Sequence, residues 1–332
     1  MIAVLARLGS PGIVGQYALG VAVSAPILVL AQFRRREPGA ADIRITSLAL
    51  ALLGIAAVGF LEHSVQDRMA LLLVVLAESV EWIADLYAGR RNAISLGLHG
   101  VLPIAALAVV FGRTGHLGAG LLAVLVVRLL ALFCYDFKRV RREPLPDDRE
   151  AKVARLAAIA PCYFIAHMLG YGSLGIYAAI ASLTPIAGVS PVGGREEFSG
   201  TRVELAGAGL LLALSGVACA IVAGPWILGG LFGAEYAAQS ALLLALSAVA
   251  GGTFVAILLG GGRMPIEITA IAATSLACVA LVPKAGLLGA ACAAGVGVVV
   301  RITGQLCVLH FGTRGGSRVP APRLSSPALH KA

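Results

Sequence analysis

Residues 116–135 read HLGAGLLAVLVVRLLALFCY, an apolar stretch whose one charged side chain is Arg128. A helix needs about 20 apolar residues to cross the hydrocarbon core of a bilayer. Comparable stretches recur along the chain: hydrophobic residues make up 59% of its 332 residues, charged residues 13%, and the mean hydropathy is +0.92. Soluble domains carry about 25% charged residues. The composition therefore predicts a polytopic membrane protein, with little room for a soluble catalytic domain.

The apolar runs predict eleven transmembrane helices and no strands, because they are long, continuous and rich in Ala and Leu. Span 69–87 is the least apolar of them, since it contains three acidic residues. The predicted spans are residues 13–33, 44–62, 69–87, 93–111, 116–135, 152–170, 172–190, 204–224, 237–260, 265–283 and 286–310. The fold class expected from this pattern is all-α.

Positive charge alternates between successive loops and predicts the orientation. Nineteen Lys and Arg residues fall on one side and four on the other, and the basic side of a membrane protein faces the cytoplasm. The basic segments are 34–44, 88–92, 136–152, 191–203, 261–264 and the C-terminal tail. The net charge of +9 is therefore a topology signal, and the chain shows no basic folded surface of the kind that binds nucleic acid.

An internal repeat divides the chain into two lobes. Gly15-Gln16-Tyr17-Ala18 and Gly175-Ile176-Tyr177-Ala178 lie 160 residues apart, each preceded by Leu-Gly and followed by Pro-Ile. We expect two pseudo-repeated helical bundles: a lobe of five visible helices at 1–135, a basic cytoplasmic linker at 136–151, a lobe of six at 152–311, and a disordered cytoplasmic tail at 312–332. A cytoplasmic C-terminus and eleven spans put the N-terminus outside, so we expect the first helix of the first lobe to be absent ahead of Met1.

Several segments, in this order, resemble bacterial polysaccharide-export flippases of the multidrug/oligosaccharidyl-lipid/polysaccharide exporter superfamily. The resemblance covers most of residues 1–310. It is carried by Ala6-Arg7-Leu8-Gly9-Ser10-Pro11, Val14-Gly15-Gln16-Tyr17-Ala18-Leu19, Ala77-Glu78-Ser79, Asp85-Leu86-Tyr87-Ala88-Gly89, Pro161-Cys162-Tyr163-Phe164-Ile165, Gly233-Ala234-Glu235-Tyr236-Ala237 and Leu281-Val282-Pro283-Lys284-Ala285-Gly286. It implies alternating access in a bacterial inner membrane, with cationic residues holding a lipid-diphosphate-linked glycan and other surface-glycan assembly proteins as further partners.

Charged residues within the spans are the candidates for substrate binding. Glu78, Glu81 and Asp85 share one face of span 69–87, and carboxylates within a bilayer are expected to face a bundle interior or a wet cavity. The alternative for Asp85 and Glu81 is a position at the level of the cytoplasmic headgroups. Arg128 and Arg301 lie deep in their spans, while Arg155 lies near a span end. Each arginine suits a phosphate; the alternative is a carboxylate partner within the protein, such as Glu78 for Arg128, or, for Arg155, a side chain that extends to the membrane surface. Gln305 extends the polar face of Arg301 by one turn.

The function expected from these observations is a flippase that exports a lipid-linked oligosaccharide or polysaccharide precursor. The alternatives are a cation-coupled multidrug exporter of the same superfamily, a membrane glycosyltransferase or polymerase, and an inactive flippase fragment. The short loops on the outer side argue against the glycosyltransferase. We expect no enzymatic activity and no cofactor. The six cysteines form no metal-binding or Cys-x-x-Cys pattern, so we also expect no metal site.

Overall fold

The computed structural model describes residues 1–33, 65–88, 94, 97–136, 149–184, 202–259 and 264–312. Every regular element in these segments is helical. The predicted span 44–62, most of the predicted linker and the predicted tail after Gly312 lie outside the described residues, and so does the end of the predicted span 172–190.

Most of the described helices overlap the predicted spans, but predicted spans 152–170 and 172–190 lie in one element, and so do 265–283 and 286–310. The helices are α1 (Ile2–Leu8), α2 (Pro11–Phe33), α3 (Val65–Ala88), α4 (Leu102–Thr114), α5 (Leu117–Ala131), α6 (Arg149–Ala181), α7 (Arg202–Leu231), α8 (Ala234–Ala237), α9 (Ser240–Leu258) and α10 (Met264–Gly312). A π-helical turn at Gly97–Val101 leads into α4, and a second one at Leu132–Asp136 extends α5. Helix α7 continues through Pro225 to Leu231, beyond its predicted end at 224, because the residues that follow the proline are still apolar.

Five helices in the described part of the chain are long and apolar enough to cross a membrane. They cover Gly97–Thr114, Leu117–Tyr135, Ile159–Ala181, Leu214–Leu231 and Met264–His310. Their outer faces carry large apolar side chains, among them Val222 and Trp226, which are 80% and 82% exposed. Such surface is stable in lipid rather than in water. The chain is therefore an all-α membrane protein.

Glycines in left-handed or extended backbone conformations end or interrupt the helices. Gly115 has φ 67° and joins α4 to α5. Gly170 and Gly286, with φ 83° and 56°, interrupt α6 and α10 in mid-course. A residue with a Cβ would be strained at these φ values. The break at Gly286 lets α10 fold back on itself, so that a Cβ added at Gly304 would lie 3.1 Å from Ile266.

We call the helices up to residue 136 the first helix group and those from residue 149 onward the second helix group. In the first, α2 and α5 both contact α3, and α4 contacts α5. In the second, α7 contacts α9, while α10 contacts both α6 and α9. Helices α2 and α6 form the main contact between the groups. Buried apolar side chains from both groups, such as Leu71, Leu121 and Leu174, belong to one continuous core.

The contact between α2 and α6 is a reciprocal approach of two backbones. A Cβ added at Gly15 would lie 1.9 Å from the carbonyl oxygen of Tyr171, and one added at Gly175 would lie 1.7 Å from that of Pro11. Each glycine therefore faces the carbonyl four residues before the other. Only glycine allows helices to approach this closely. These are the glycines that begin the two Gly-x-Tyr-Ala elements.

Candidate functional site

Arg128 forms the charged centre of the first helix group. Its Nη1 donates to Glu78 Oε1 at 3.1 Å, and its Nη2 donates to Glu81 Oε2. The two glutamates are one turn apart on α3, and the arginine reaches them from α5. The same-face spacing of the acids therefore places both carboxylates within reach of one guanidinium group.

Burial differs between the arginine and its acids. The Arg128 side chain is 3% exposed, whereas those of Glu78 and Glu81 are 20% and 24% exposed. Nε of Arg128 is buried and has no hydrogen-bond partner within the described residues. A buried guanidinium group requires anionic partners, because transfer of an unpaired charge from water is very unfavourable. The pairing accounts for Arg128 as a counter-ion, and the partial exposure of the acids leaves one side of the centre accessible.

Arg301 forms the second charged centre, inside α10. Its Nε donates to Glu267 Oε2 at 2.7 Å, and the two side chains are 6% and 3% exposed. Glu267 lies before the break at Gly286 and Arg301 after it, so the ion pair links the two halves of the folded-back helix. Gln305, one turn beyond Arg301, is also buried.

Sequence reasoning missed Glu267 as a functional candidate. The residue follows Arg263 closely and begins a span, so it reads as a residue at the level of the lipid headgroups. A usable signal was present in the sequence. Gly286 separates two apolar runs with no loop between them, and a chain that reverses there brings residues near 267 opposite residues near 301.

For two other predicted residues, the structure describes the helix but not the side chain. Arg155 lies on α6, but its side chain is outside the described residues, as is that of Asp85 on α3. Each of the two central arginines is paired within its own helix group. The wet cavity expected beside Glu78 stays a prediction.

A conspicuous turn joins α7 to α9 on the predicted outer side. Gly233 adopts φ 117°, and the short helix α8 then buries Tyr236 to 1% exposure. The ring of Tyr236 packs against Phe232 with 5.5 Å between centroids. Burial raises the pKa of the Tyr236 phenol to about 12, with a further contribution from the charge of Glu235. Its hydroxyl has no partner among the described residues, which makes this tyrosine a packing element in the present conformation.

No family model, curated protein or solved structure matches the chain.

Proposed function

We propose that this chain is a flippase of the bacterial inner membrane, which moves a lipid-diphosphate-linked oligosaccharide or polysaccharide precursor to the outer leaflet by alternating access. The resemblance of the ordered sequence segments supplies the substrate class. The all-helical membrane fold, with two helix groups, supports the mode of action.

The observation that carries the proposal is the reciprocal contact of Gly15 with Tyr171 and of Gly175 with Pro11. Two copies of one structural unit related by an approximate two-fold axis would meet in this way. The contact thus supports a chain of two pseudo-repeated bundles, with five and six helices visible in the sequence. It also supplies a narrow backbone contact that can break and form again as the bundles rock.

The direction of opening follows from the predicted topology. Gly15 and Gly175 lie near the outer ends of their helices, because the basic loops that follow these helices are cytoplasmic. A contact at the outer ends leaves the cytoplasmic ends to separate. In this proposal the described conformation is closed to the outside and receives substrate from the cytoplasmic leaflet.

The two arginines are proposed to hold the diphosphate. Both are paired with carboxylates, so a phosphate must displace or join an existing partner. Exchange is easier at Arg128, whose two acids remain partly exposed, than at Arg301, whose pair is buried on both sides. We therefore assign Arg128 to first contact with the diphosphate. A planar guanidinium fork can bind a carboxylate and a phosphate oxygen at once, whereas a lysine ammonium group cannot match this geometry.

The test is translocation of a short-chain lipid-diphosphate oligosaccharide in proteoliposomes. The wild-type protein should flip the lipid, and Arg128→Lys should reduce the rate at least tenfold with unchanged yield. Arg113→Lys provides a matched control, since Arg113 is an exposed arginine at the other end of the same helical hairpin. Normal flipping by both the Arg128→Lys and Arg301→Lys variants would show that these residues are structural counter-ions.

A wild-type protein that exports cationic drugs and leaves the glycolipid in place would favour the multidrug-exporter alternative. The orientation has a separate test: an impermeant thiol reagent should not label single cysteines in the 136–152 loop of intact cells.

A further inference from the structure

Helix α2 contains a carbonyl group that its own helix cannot satisfy. Pro26 has no N–H, so the carbonyl of Ala22 lacks the donor that residue i+4 normally provides. Ala22 is 2% exposed, and an unpaired carbonyl within a membrane is strongly unfavourable. A donor from elsewhere in the molecule is needed at this position.

That donor comes from the other helix group. The hydroxyl of Tyr163 on α6 donates to the Ala22 carbonyl oxygen at 2.5 Å, across 141 residues of sequence. Tyr163 thus completes the hydrogen bonding of a proline-interrupted helix in the first group from a position in the second. The bond can exist only while α2 and α6 are in contact.

The equivalent position in the second half of the sequence is satisfied differently. Pro185 follows Ala181 by four residues, as Pro26 follows Ala22. The Ala181 carbonyl accepts from the Thr184 hydroxyl at 2.6 Å and from the Thr184 amide at 3.1 Å. The second group therefore completes its own carbonyl. The first group depends on the second for this hydrogen bond. Separation of α2 from α6 therefore leaves a carbonyl unpaired in the first group only.

We propose that the Tyr163 hydroxyl and the Ala22 carbonyl form a conformational lock that holds α2 and α6 together until water or a substrate hydroxyl replaces the tyrosine. The lock exists because Pro26 removes the internal donor. It goes beyond the proposed function, and it relies on that function only for the existence of a state with the two groups apart.

The inference is tested by a double-mutant cycle of Tyr163→Phe and Pro26→Ala. Spin labels at positions 12 and 172, where a side chain has space, report the separation of α2 and α6 in a full-length variant without native cysteines. Tyr163→Phe should raise the ratio of separated to contacting molecules about fivefold, the usual effect of one net hydrogen bond. In the Pro26→Ala background the helix regains its own donor, so Tyr163→Phe should change the ratio by less than about twofold.

Tyr177→Phe is the matched control, because Tyr177 is a buried tyrosine on the same helix and its hydroxyl bonds no carbonyl of α2 within the described residues. This variant should leave the ratio unchanged. If Tyr163→Phe lowers the protein yield, the melting temperature of the four variants is measured instead. Pro26→Ala must then restore the melting temperature that Tyr163→Phe lowers.

Three results would overturn the lock: an unchanged ratio in Tyr163→Phe, an equal effect in both backgrounds, or no separated population in any variant. A chain that shows the coupling but flips no lipid would refute the proposed function and leave the lock standing. A chain that flips lipid without the coupling would do the reverse.

Discussion

Substitution of Gly175 by alanine should force apart the two helix groups. The added Cβ would lie 1.7 Å from the Pro11 carbonyl oxygen and 2.9 Å from the Gly15 amide nitrogen. Both obstacles are backbone atoms, so no side chain can rotate away. Restoring a contact of 3.0 Å, the lower limit for real Cβ atoms, requires the helices to move apart by about 1.3 Å.

The magnitude follows from two opposing contributions. Overpacking a tight contact costs about 1–3 kcal/mol. We expect a cost near the upper end of this range, because the two backbones must separate along the contact. Alanine recovers about 1 kcal/mol of helix propensity relative to glycine. The expected net loss in the free energy of unfolding is about 2 kcal/mol. Gly15→Ala should have a similar effect, since it meets the reciprocal carbonyl. The double variant should lose less than the sum, because the first alanine already opens the contact.

Denaturant titration of the protein in detergent or in lipid measures the loss in the free energy of unfolding. Gly172→Ala is the matched control for Gly175→Ala, and Gly12→Ala is the control for Gly15→Ala. A Cβ at Gly172 meets nothing within 4 Å, and one at Gly12 lies 3.7 Å from a side-chain oxygen. Both controls should retain or gain stability. Equal stability of Gly175→Ala and Gly172→Ala would refute the close approach of α2 and α6.

Three further predictions concern the charged centres and the outer turn. Arg128→Ala should lower the free energy of unfolding by about 3 kcal/mol, because it leaves two carboxylates without their shared cation; a change below about 1 kcal/mol in denaturant titration would show that the pairing is dispensable. Glu267→Gln should destabilise the protein more than Arg301→Lys in thermal melts, since the lysine variant keeps the charge pair; the opposite order would contradict the role of the pair in joining the two halves of α10. Tyr236→Phe should leave the melting temperature unchanged or raise it, because the buried hydroxyl has no partner among the described residues, and a clear fall would reveal an additional partner.

Long apolar runs were the most predictable part of this chain. The breaks at Gly170 and Gly286 fall at the ends of the predicted spans 152–170 and 286–310, because hydrophobic length and glycine punctuation are local properties. The pairing of Glu78 with Arg128 was foreseeable as one of two alternatives, since same-face carboxylates within a membrane require a cation. The partial exposure of the acids was not foreseeable, because it depends on how α3 packs against α2 and α5.

The least predictable contacts join residues that are distant in sequence. Tyr163 belongs to one of the segments that resemble the flippases, but nothing local identifies Ala22 as its acceptor. Pro26 marks a missing donor, and the identity of the replacement depends on which helix packs against α2. The match between Gly15 and Gly175 was visible as a repeat, yet the repeat alone does not say that the two copies touch.

The single-residue reversal at Gly286 has a consequence for how the protein is made. Two helices joined by a long loop can enter the bilayer one at a time, because the loop can stay at the membrane surface after the first helix has inserted. The two halves of α10 have no such loop, and each has the other as its nearest neighbour along its length. We therefore expect the insertion machinery to accept them together as one hairpin, and in the predicted orientation Lys284 beside the turn would cross in the same step. One decision during biosynthesis thus orients both halves.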